Sequence, residues 1–517
     1  MTDFKQNNKR IAQNTLLLYL RMMFLMAVNL YTSRIVLSTL GVEDFGINNV
    51  VGGVVTSLSF LTGSLSGATS RYITYNLGVG NMKMMKSTFG NILSIHYLLA
   101  LVVFVFGETI GFWFVANKLQ IPESRQTAAM VVYQFSVLQS ILSVWSSPYN
   151  AAIIAHEKMK AFAYITILDA LLKLLTVFLL VVMPIDKLMM YAAMCFTIQL
   201  LDRAIFGIYC KRHFEEVRVR PSFDKGQFKE MFTYSAWTMN GVLSVFGYTE
   251  GINILLNIFF GPAVNAARGV AVQVQGVVTQ FCRNFQMALN PQITKTYAQQ
   301  ELDSMHKLIK RSSKFSFYLL LLLSLPVVLE APKLLEWWLG EYPAHTVSFL
   351  RIIIMTSIIV SLSNPIIVAV HATGKLKRFQ MVEGFMLLSI VPIAYLLLKS
   401  FNIRPEYVFC VHLVVELLTQ YARVRIVLPM ISMSVKNYLI EVALPIAKVS
   451  VCAIIPTLVV FVFTEQNIKG FVLVCSWSAL CVVSSVYFLG CTPNEKAKIV
   501  SYVRKRLPSG NKGQKGL

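Results

Sequence analysis

Charged residues are scarce in this sequence, and long polar stretches are few. Only 14% of its 517 residues are Asp, Glu, Lys or Arg, whereas soluble domains contain about a quarter. The longest polar stretches are residues 211–230 and those after 492. Because neither is long enough to fold alone, we expect no soluble catalytic domain, nucleotide-binding cassette or large receptor domain.

The sequence patterns of catalytic and metal sites are missing as well. The seven histidines form no HExxH or HxH pattern, and there is no GxxxxGK[ST] phosphate-binding loop. The eight cysteines fall mostly inside apolar runs and lack CxxC pairing. We therefore predict a protein that is not an enzyme, with no catalytic residues, no metal site and no bound cofactor.

Hydrophobic residues make up 56% of the chain, and its mean hydropathy is +0.61. A bilayer-spanning helix needs about 20 apolar residues, and fourteen apolar segments of helical length lie between residues 14 and 490. The fold class predicted is an all-α polytopic membrane protein with about 14 transmembrane helices. The first segment, 14–40, lacks a small-residue cleavage site, so we expect a membrane helix rather than a secretory signal.

The basic residues indicate the topology. If the loops are assigned alternately to the two sides of the membrane, about 32 Lys and Arg fall on one side and about 6 on the other. We call the richer side the basic side; it includes 71–86, 158–160, 211–229, 295–314 and 375–378. The positive-inside rule makes it cytoplasmic, with both termini inside. Topology thus accounts for the net charge of +22, and we expect no nucleic-acid partner.

Two sets of residues recur at a nearly constant displacement, which indicates an internal duplication. Pro148, Lys158, Lys160 and Phe162 recur with the same internal spacing as Pro365, Lys375, Lys377 and Phe379, and Gly41, Ile73 and Thr74 recur likewise as Gly261, Ile293 and Thr294. Units with an even number of spans share one orientation, so we predict a parallel repeat of two six-helix lobes around a central cleft.

The duplication predicts the following organisation: an N-lobe at 1–210, a cytoplasmic linker at 211–230, a C-lobe at 231–428, two additional C-terminal spans at 429–491 and a basic cytoplasmic tail at 492–517.

Several cations lie inside predicted spans, where an arginine costs at least ~2.5 kcal/mol unless it finds water, an acid or an anionic ligand. Asp169 and Lys173 are spaced to pair on one helix face, as are Glu330 and Lys333. Arg21, Arg268 and Arg283 have no such partner, and Arg34 is a fourth candidate that can also snorkel to the interface. Arg21 and Arg268 either line a wet cavity or donate to backbone carbonyls of neighbouring helices.

Two segments, 46–68 and 264–288, are rich in polar side chains. In the second, Arg268, Gln275 and Gln286 lie within about 20° of one line on a helix, with Arg283 about 60–80° away, which predicts a polar stripe facing a cavity. The first contains Asn49 and many small residues, which suit either a hydrated wall or close helix packing.

Glu250 is the embedded acid that stands out. It lies in Gly247-Tyr248-Thr249-Glu250-Gly251, without a cation three or four residues away. It either binds Na⁺ or a proton as a coupling ion, or pairs with a cavity arginine.

The string Ser33-Arg34-Ile35-Val36-Leu37, followed by Leu40-Gly41-Val42-Glu43-Asp44-Phe45-Gly46-Ile47, resembles the first loop of bacterial polysaccharide flippases of the O-antigen (Wzx) type. These belong to the MATE-like superfamily of multidrug, oligosaccharidyl-lipid and polysaccharide exporters. The resemblance extends over most of the chain through the span count, the six-plus-six duplication and the two additional helices.

This resemblance implies a transporter in the bacterial inner membrane. Its substrate would be an undecaprenyl-diphosphate-linked oligosaccharide, moved from the cytoplasmic to the periplasmic leaflet by alternating access for lipopolysaccharide or another surface polysaccharide. Arg21, Arg268 and Arg283, with Arg34, would hold the diphosphate, since guanidinium groups match phosphate geometry. Asn49, Gln275 and Gln286 would contact sugar, and Glu250 would couple transport to Na⁺ or H⁺. A polysaccharide polymerase and chain-length proteins would be partners, within the lipid bilayer.

Three other functions stay open. A peptidoglycan lipid II flippase would carry a similar diphosphate, whereas a multidrug antiporter of the same superfamily would need acids around an organic cation. A membrane polysaccharide polymerase or ligase typically places its catalytic residues in a large periplasmic loop, and the external loops here are short.

Overall fold

A computed structural model describes residues 17–497, apart from gaps at 30, 33–34, 37, 42–43, 45–46, 49–50, 53–58, 118–120, 402, 466 and 494. These residues are almost entirely helical and contain no β-strand. Ten of the helices in the described part of the chain are long and apolar enough to cross a membrane. The chain is an all-α multi-pass membrane protein, as the sequence predicts.

Fourteen helices of the described residues coincide with the fourteen predicted segments and take their numbers. They are α1 (Leu17–Asn29), α2 (Ser59–Val79), α3 (Met82–Asn117), α4 (Gln126–Ala155), α5 (Met159–Val182), α6 (Lys187–His213), α7 (Lys225–Phe260), α8 (Pro262–Ala298), α9 (Leu302–Leu329), α10 (Thr346–Thr373), α11 (Lys377–Phe401), α12 (Glu406–Met430), α13 (Val435–Phe463) and α14 (Ile468–Gly490). A short helix, Ala331–Leu339, follows α9.

Three helices extend ten or more residues beyond their predicted segments, and one of them, α9, begins at Leu302 instead of 315. Helices α2 and α8 continue to Val79 and Ala298, about ten residues past the apolar runs. Asn76 and Gln292 in these extensions are only 3% and 4% exposed. Hydropathy indicates only the part of a helix that contacts lipid, and these polar side chains are covered by protein. The apolar segments therefore end before the helices do.

The described helices divide into two compact units. The first comprises Met1–Ile252, Arg283–Ile309 and Pro365–Pro392, and the second comprises Asn253–Cys282, Lys310–Asn364 and Ile393–Leu517. In the first unit, α4 packs against α2, α3 and α6, and Tyr133, Val137 and Leu180 are fully buried in its apolar core. In the second, α10 packs against α12, and α13 against α14. The predicted limits of lobes, linker, extra spans and tail stay predictions.

The backbone supports the duplication through turns of unusual conformation. Six of the nine described residues in the left-handed region, with φ between +56° and +83°, form three pairs at the displacements that the sequence repeat predicts. The pairs are Gly41 and Gly261, Gly80 and Gln300, and Glu157 and Gly374. Left-handed residues commonly end helices, and each pair follows corresponding helices of the two repeats. The two halves therefore share their turn geometry as well as their residue pattern.

An interaction between helix starts is also duplicated. Arg125, just before α4, lies 2.6 Å from the carboxylate of Asp186, which caps the start of α6. At the equivalent positions of the second repeat, His345 Nδ1 lies 2.5 Å from Glu406 Oε1, and these residues precede α10 and begin α12. The first copy adds Asp44, which also pairs with Arg125. We call Asp44, Arg125 and Asp186 the loop clamp, since they tie three loops of the first unit together.

The predicted linker lies along the basic-side end of α3. Glu215 pairs with Lys86, and the amide of Asp224 donates to Asn91 Oδ1 at 2.8 Å. Glu216 is 1% exposed and lies 2.5 Å from His156, which ends α4. The chain from 213 to 225 is thus fixed by polar contacts to the first unit.

The loop clamp should contribute measurably to stability. Replacing Arg125 with Ala leaves two partly buried carboxylates without their cation, so we expect Arg125→Ala to destabilise the purified protein by about 1–2 kcal/mol in thermal unfolding. Lys86→Ala is the matched control, because it breaks a solvent-exposed pair and should leave the unfolding midpoint unchanged. Equal midpoints for both variants would contradict the clamp.

The stability difference between Arg125→Ala and the natural protein should depend on pH. Burial raises the pKa of Asp186, but the backbone amide of Met189 and the Arg125 guanidinium together hold it below its usual value. A lowered folded-state pKa stabilises the fold above the ordinary Asp pKa of about 3.9, and this contribution disappears as the pH falls through the lowered value. The difference between Arg125→Ala and the natural protein should shrink only below about pH 4.

Candidate functional site

The predicted site residues divide between the two units. Arg21, Glu250, Arg283 and Gln286 belong to the first unit, and Arg268 and Gln275 to the second. Arg34 and Asn49 lie outside the described residues. Helix α8 contributes most of the site, since it carries both predicted glutamines and two of the predicted arginines.

Arg21 on α1 contacts α5. Its Nε donates to Thr166 Oγ1 at 2.6 Å, and its guanidinium lies 4.5 Å from the ring centroid of Phe162. The sequence leaves two alternatives for Arg21: a wet cavity or donation to the backbone carbonyls of neighbouring helices. The hydrogen bond does join two helices, but its acceptor is a side-chain hydroxyl and not a backbone carbonyl. Arg21 is thus held at a fixed position in the first unit with its charge intact.

Arg283 is exposed, although it lies well inside α8. Its neighbour Asn284 is buried and donates to the sulfur of Met22 at 3.0 Å. The residue following Arg21 therefore contacts the residue following Arg283. This contact brings α1 and α8 together and places Arg21 and Arg283 at about the same level of the first unit. Gln286, one turn further along α8, is 5% exposed.

The second unit holds the other part of α8. Arg268 is half-buried and donates to Asn253 Oδ1 on α7 at 3.3 Å, and it interacts electrostatically with His412 on α12. Gln275 Nε2 donates to Ser357 Oγ on α10 at 2.7 Å. Fifteen residues separate Arg268 from Arg283 on this helix, or about 22 Å of helical rise. One diphosphate group cannot contact both arginines at the same time.

An acid pair that sequence reasoning did not assemble lies between α5 and α6. Asp169 pairs with Lys173 at 2.8 Å, as predicted, and its side chain also reaches Asp202. Asp202 is 8% exposed, and its Oδ1 has no hydrogen-bond partner in the described part of the chain. Arg203 points away and stacks on Tyr149, 4.1 Å from the ring centroid. Two carboxylates beside one ammonium group can bind a proton or a small cation.

Glu250 on α7 is half-buried and interacts with neighbouring groups of the protein. Among the described residues no cluster of His, Cys, Asp and Glu has the composition of a metal site. The arrangement offers fixed guanidinium groups and amides along α8, and a pair of carboxylates between α5 and α6.

No model of a protein family and no curated protein matches this sequence. Solved structures do match it. An outward-facing multidrug resistance MATE family transporter of the MOP superfamily has a TM-score of 0.70 at 13% identity, covering 84% of this chain and 96% of that chain. A MATE protein in the bent conformation has a TM-score of 0.72 at 12% identity, covering 83% and 96%. The chain has the MATE fold.

A third structure with the MATE fold is a MOP superfamily transporter from Pyrococcus furiosus, described as having a binding pocket of reverse polarity. It has a TM-score of 0.69 at 12% identity and covers 84% of this chain and 96% of that chain. These likenesses confirm the predicted MATE-like fold and its helical architecture. The Wzx-type subfamily stays a prediction.

The exposure of Arg283 predicts that this part of α8 faces water. An arginine exposed to hydrocarbon at mid-span would be costly, so Arg283→Cys should react in intact membranes with a membrane-impermeant thiol reagent, above the labelling of the natural protein. Phe385→Cys is the control, because this residue on α11 is 77% exposed at an apolar position that we expect to face lipid. Protection of both cysteines would show that Arg283 does not line a wet cleft.

Proposed function

We propose that this protein is a transporter that flips an undecaprenyl-diphosphate-linked oligosaccharide across the bacterial inner membrane, from the cytoplasmic to the periplasmic leaflet. The observation that carries the proposal is the exposed guanidinium of Arg283, at the level of Arg21, on a polar helix of a MATE fold. Two cations at one level attract an anion, and within the described residues no carboxylate pairs with Arg283.

A lipid-linked diphosphate fits this arrangement in charge and shape. Arginine presents a planar set of donors that can bind two phosphate oxygens at once. Gln275 and Arg268 lie nearer the start of α8 and donate to side chains of α10 and α7. They would meet the polar sugars or the diphosphate at another depth. The substrate would then pass from one arginine level to the other as the transporter alternates.

Ion coupling is part of the proposal. Glu250 remains the residue that we propose for Na⁺ or H⁺ coupling, and the Asp169–Asp202 pair is a second candidate, since one of its oxygens is buried without a hydrogen-bond partner in the described residues. Partnership with a polysaccharide polymerase and chain-length proteins is proposed on the resemblance to Wzx-type flippases alone. We propose no catalytic step for this chain.

A cation-coupled multidrug antiporter is the second candidate function. It is favoured by the same acid pair, because buried carboxylates attract organic cations, and by the multidrug resistance transporter among the similar structures. The two candidates differ in which residues substrate transport requires. Removal of the α8 arginines should impair a diphosphate carrier and spare an exporter of cations, whereas Asp202→Asn should impair the antiporter.

We expect Arg268→Ala and Arg283→Ala each to slow flipping of a fluorescent lipid-diphosphate oligosaccharide in proteoliposomes by about ten- to a hundredfold, without loss of protein from the membrane. That range corresponds to the ~1.5–3 kcal/mol of a hydrogen bond to a charged group. Arg351→Ala is the control, because Arg351 donates to the backbone carbonyl of Val328 at 3.0 Å. This variant should flip the lipid at nearly the natural rate. Unchanged flipping by both α8 variants would remove these arginines from the substrate site.

A further inference from the structure

Near the basic-side end of α2, the guanidinium of Arg71 caps the end of α10. Its Nε donates to the carbonyl of His371 at 3.0 Å, and Nη2 donates to the carbonyl of Ala372 at 3.3 Å. The last carbonyls of a helix have no partner within it and carry partial negative charge. Arg71, in the first repeat, therefore supplies the C-terminal cap of a helix in the second repeat, and both residues belong to the first compact unit.

Three tyrosine rings surround the same guanidinium. The ring centroids of Tyr72, Tyr75 and Tyr234 lie 4.5, 5.1 and 5.1 Å from it. Tyr234 OH also lies 2.5 Å from His371 Nδ1. Because cation–π contacts strengthen where water is excluded, this cage holds Arg71 in the position that reaches the α10 carbonyls.

The turn after α10 is shaped for this contact. Gly374 has φ of +74°, and a Cβ at this position would lie 2.7 Å from Arg71 Nη2. A side chain here would both strain the backbone and displace the guanidinium. The glycine thus permits the close approach of α2 to the turn.

In a second contact, the helix end comes from the second repeat and the turn from the first. At the end of α8, Gln292 Nε2 donates to Glu157 Oε1 at 2.5 Å, and both side chains are buried. Glu157 is the counterpart of Gly374 in the first repeat and shares its left-handed backbone, while Gln292 is the counterpart of Tyr72 in the second. Arg71 thus joins the end of α2 to the turn after α10, and Gln292 joins the end of α8 to the turn after α4. Helices α2 and α8 are the second helices of the two repeats, and α4 and α10 are the fourth.

The ends of α2 and α8 also meet each other. A Cβ on Gly78 would lie 2.6 Å from Ala298 Cβ and 2.9 Å from the carbonyl oxygen of Lys295. The two contacts thus flank a point where the backbones of the repeats approach closely. All of these residues belong to the first compact unit.

We propose that the Arg71 contact and the Gln292–Glu157 contact form one latch, which holds the two repeats together at the basic side and must release as a unit for that side to open. The proposal rests on the proposed alternating access of the transporter. Each half of the latch ties one of the two helices α2 and α8 to the other repeat, and these helices meet at Gly78 and Ala298. Loss of either half therefore lowers the cost of breaking the other. Arg71 and Gln292 are positioning residues that act on the opening of the cleft, not on substrate chemistry.

Hydrogen–deuterium exchange of the full chain in lipid nanodiscs, without substrate, tests the latch. With Arg71→Ala, we expect backbone amides of the α10 turn at 371–376 and of the distant α4 turn at 155–159 both to exchange about tenfold faster, the factor that corresponds to about 1.4 kcal/mol. Gln292→Ala should produce the same rise at both turns. Arg71→Lys keeps the charge but cannot reach both carbonyls, and should give an intermediate rise.

Arg203→Ala is the matched control, since it removes an arginine–tyrosine stack, on Tyr149, within a single repeat, and should leave both turns unchanged. A rise confined to the turn nearest each substitution would show two independent contacts and overturn the latch, as would no rise at either turn. The measurement uses no substrate, so it stands even if the protein fails to flip a lipid-linked oligosaccharide.

Discussion

The cost of placing charge in hydrocarbon is the constraint on which this structure depends. Nearly every ionised side chain within a described span has a partner that lowers this cost. Lys333 pairs with Glu330 at 2.9 Å, buried Arg423 with Glu416, and Arg351 donates to a backbone carbonyl. Arg283 on α8 and Lys448 on α13 differ, since both are exposed and no carboxylate pairs with either in the described residues. A water-filled, anion-binding cleft would explain the exposure of Arg283, which lies at the level of Arg21.

Because of the duplication, several turns and side-chain contacts occur at equivalent positions of both repeats. The same left-handed turns end corresponding helices, and the contact of Arg125 with Asp186 has its counterpart in the contact of His345 with Glu406. The copies have diverged in chemistry while their geometry persists: an arginine in one copy is a histidine in the other, and a glycine turn corresponds to a glutamate turn. At the basic side, each contact between repeats joins the second helix of one repeat to the turn after the fourth helix of the other, although Arg71 and Gln292 do not occupy equivalent positions.

Much of the fold could be predicted from the sequence, because the period and length of apolar runs report directly on contact with lipid. The fourteen segments, the duplication and the pairs within one helix, such as Asp169 with Lys173, are local signals. What the sequence could not predict are contacts between distant segments. Asp202 meets Asp169 across two helices, and Arg71 meets carbonyls 300 residues away, so no spacing rule relates them. The structure also distinguishes Arg283, which is exposed, from Gln286, which is buried, whereas helical angles place the two only about 60° apart.

Flipping in the native host can be measured after deletion of the gene. Lipid-linked oligosaccharides would be extracted, and their leaflet would be determined with an enzyme that trims only periplasm-exposed sugars. We expect complete repeat units to accumulate and to resist the enzyme until the natural gene is restored, because they stay in the cytoplasmic leaflet. Accumulated units that the enzyme trims would place the defect after flipping, and normal export with greater sensitivity to cationic drugs would identify an antiporter; either result would contradict the account.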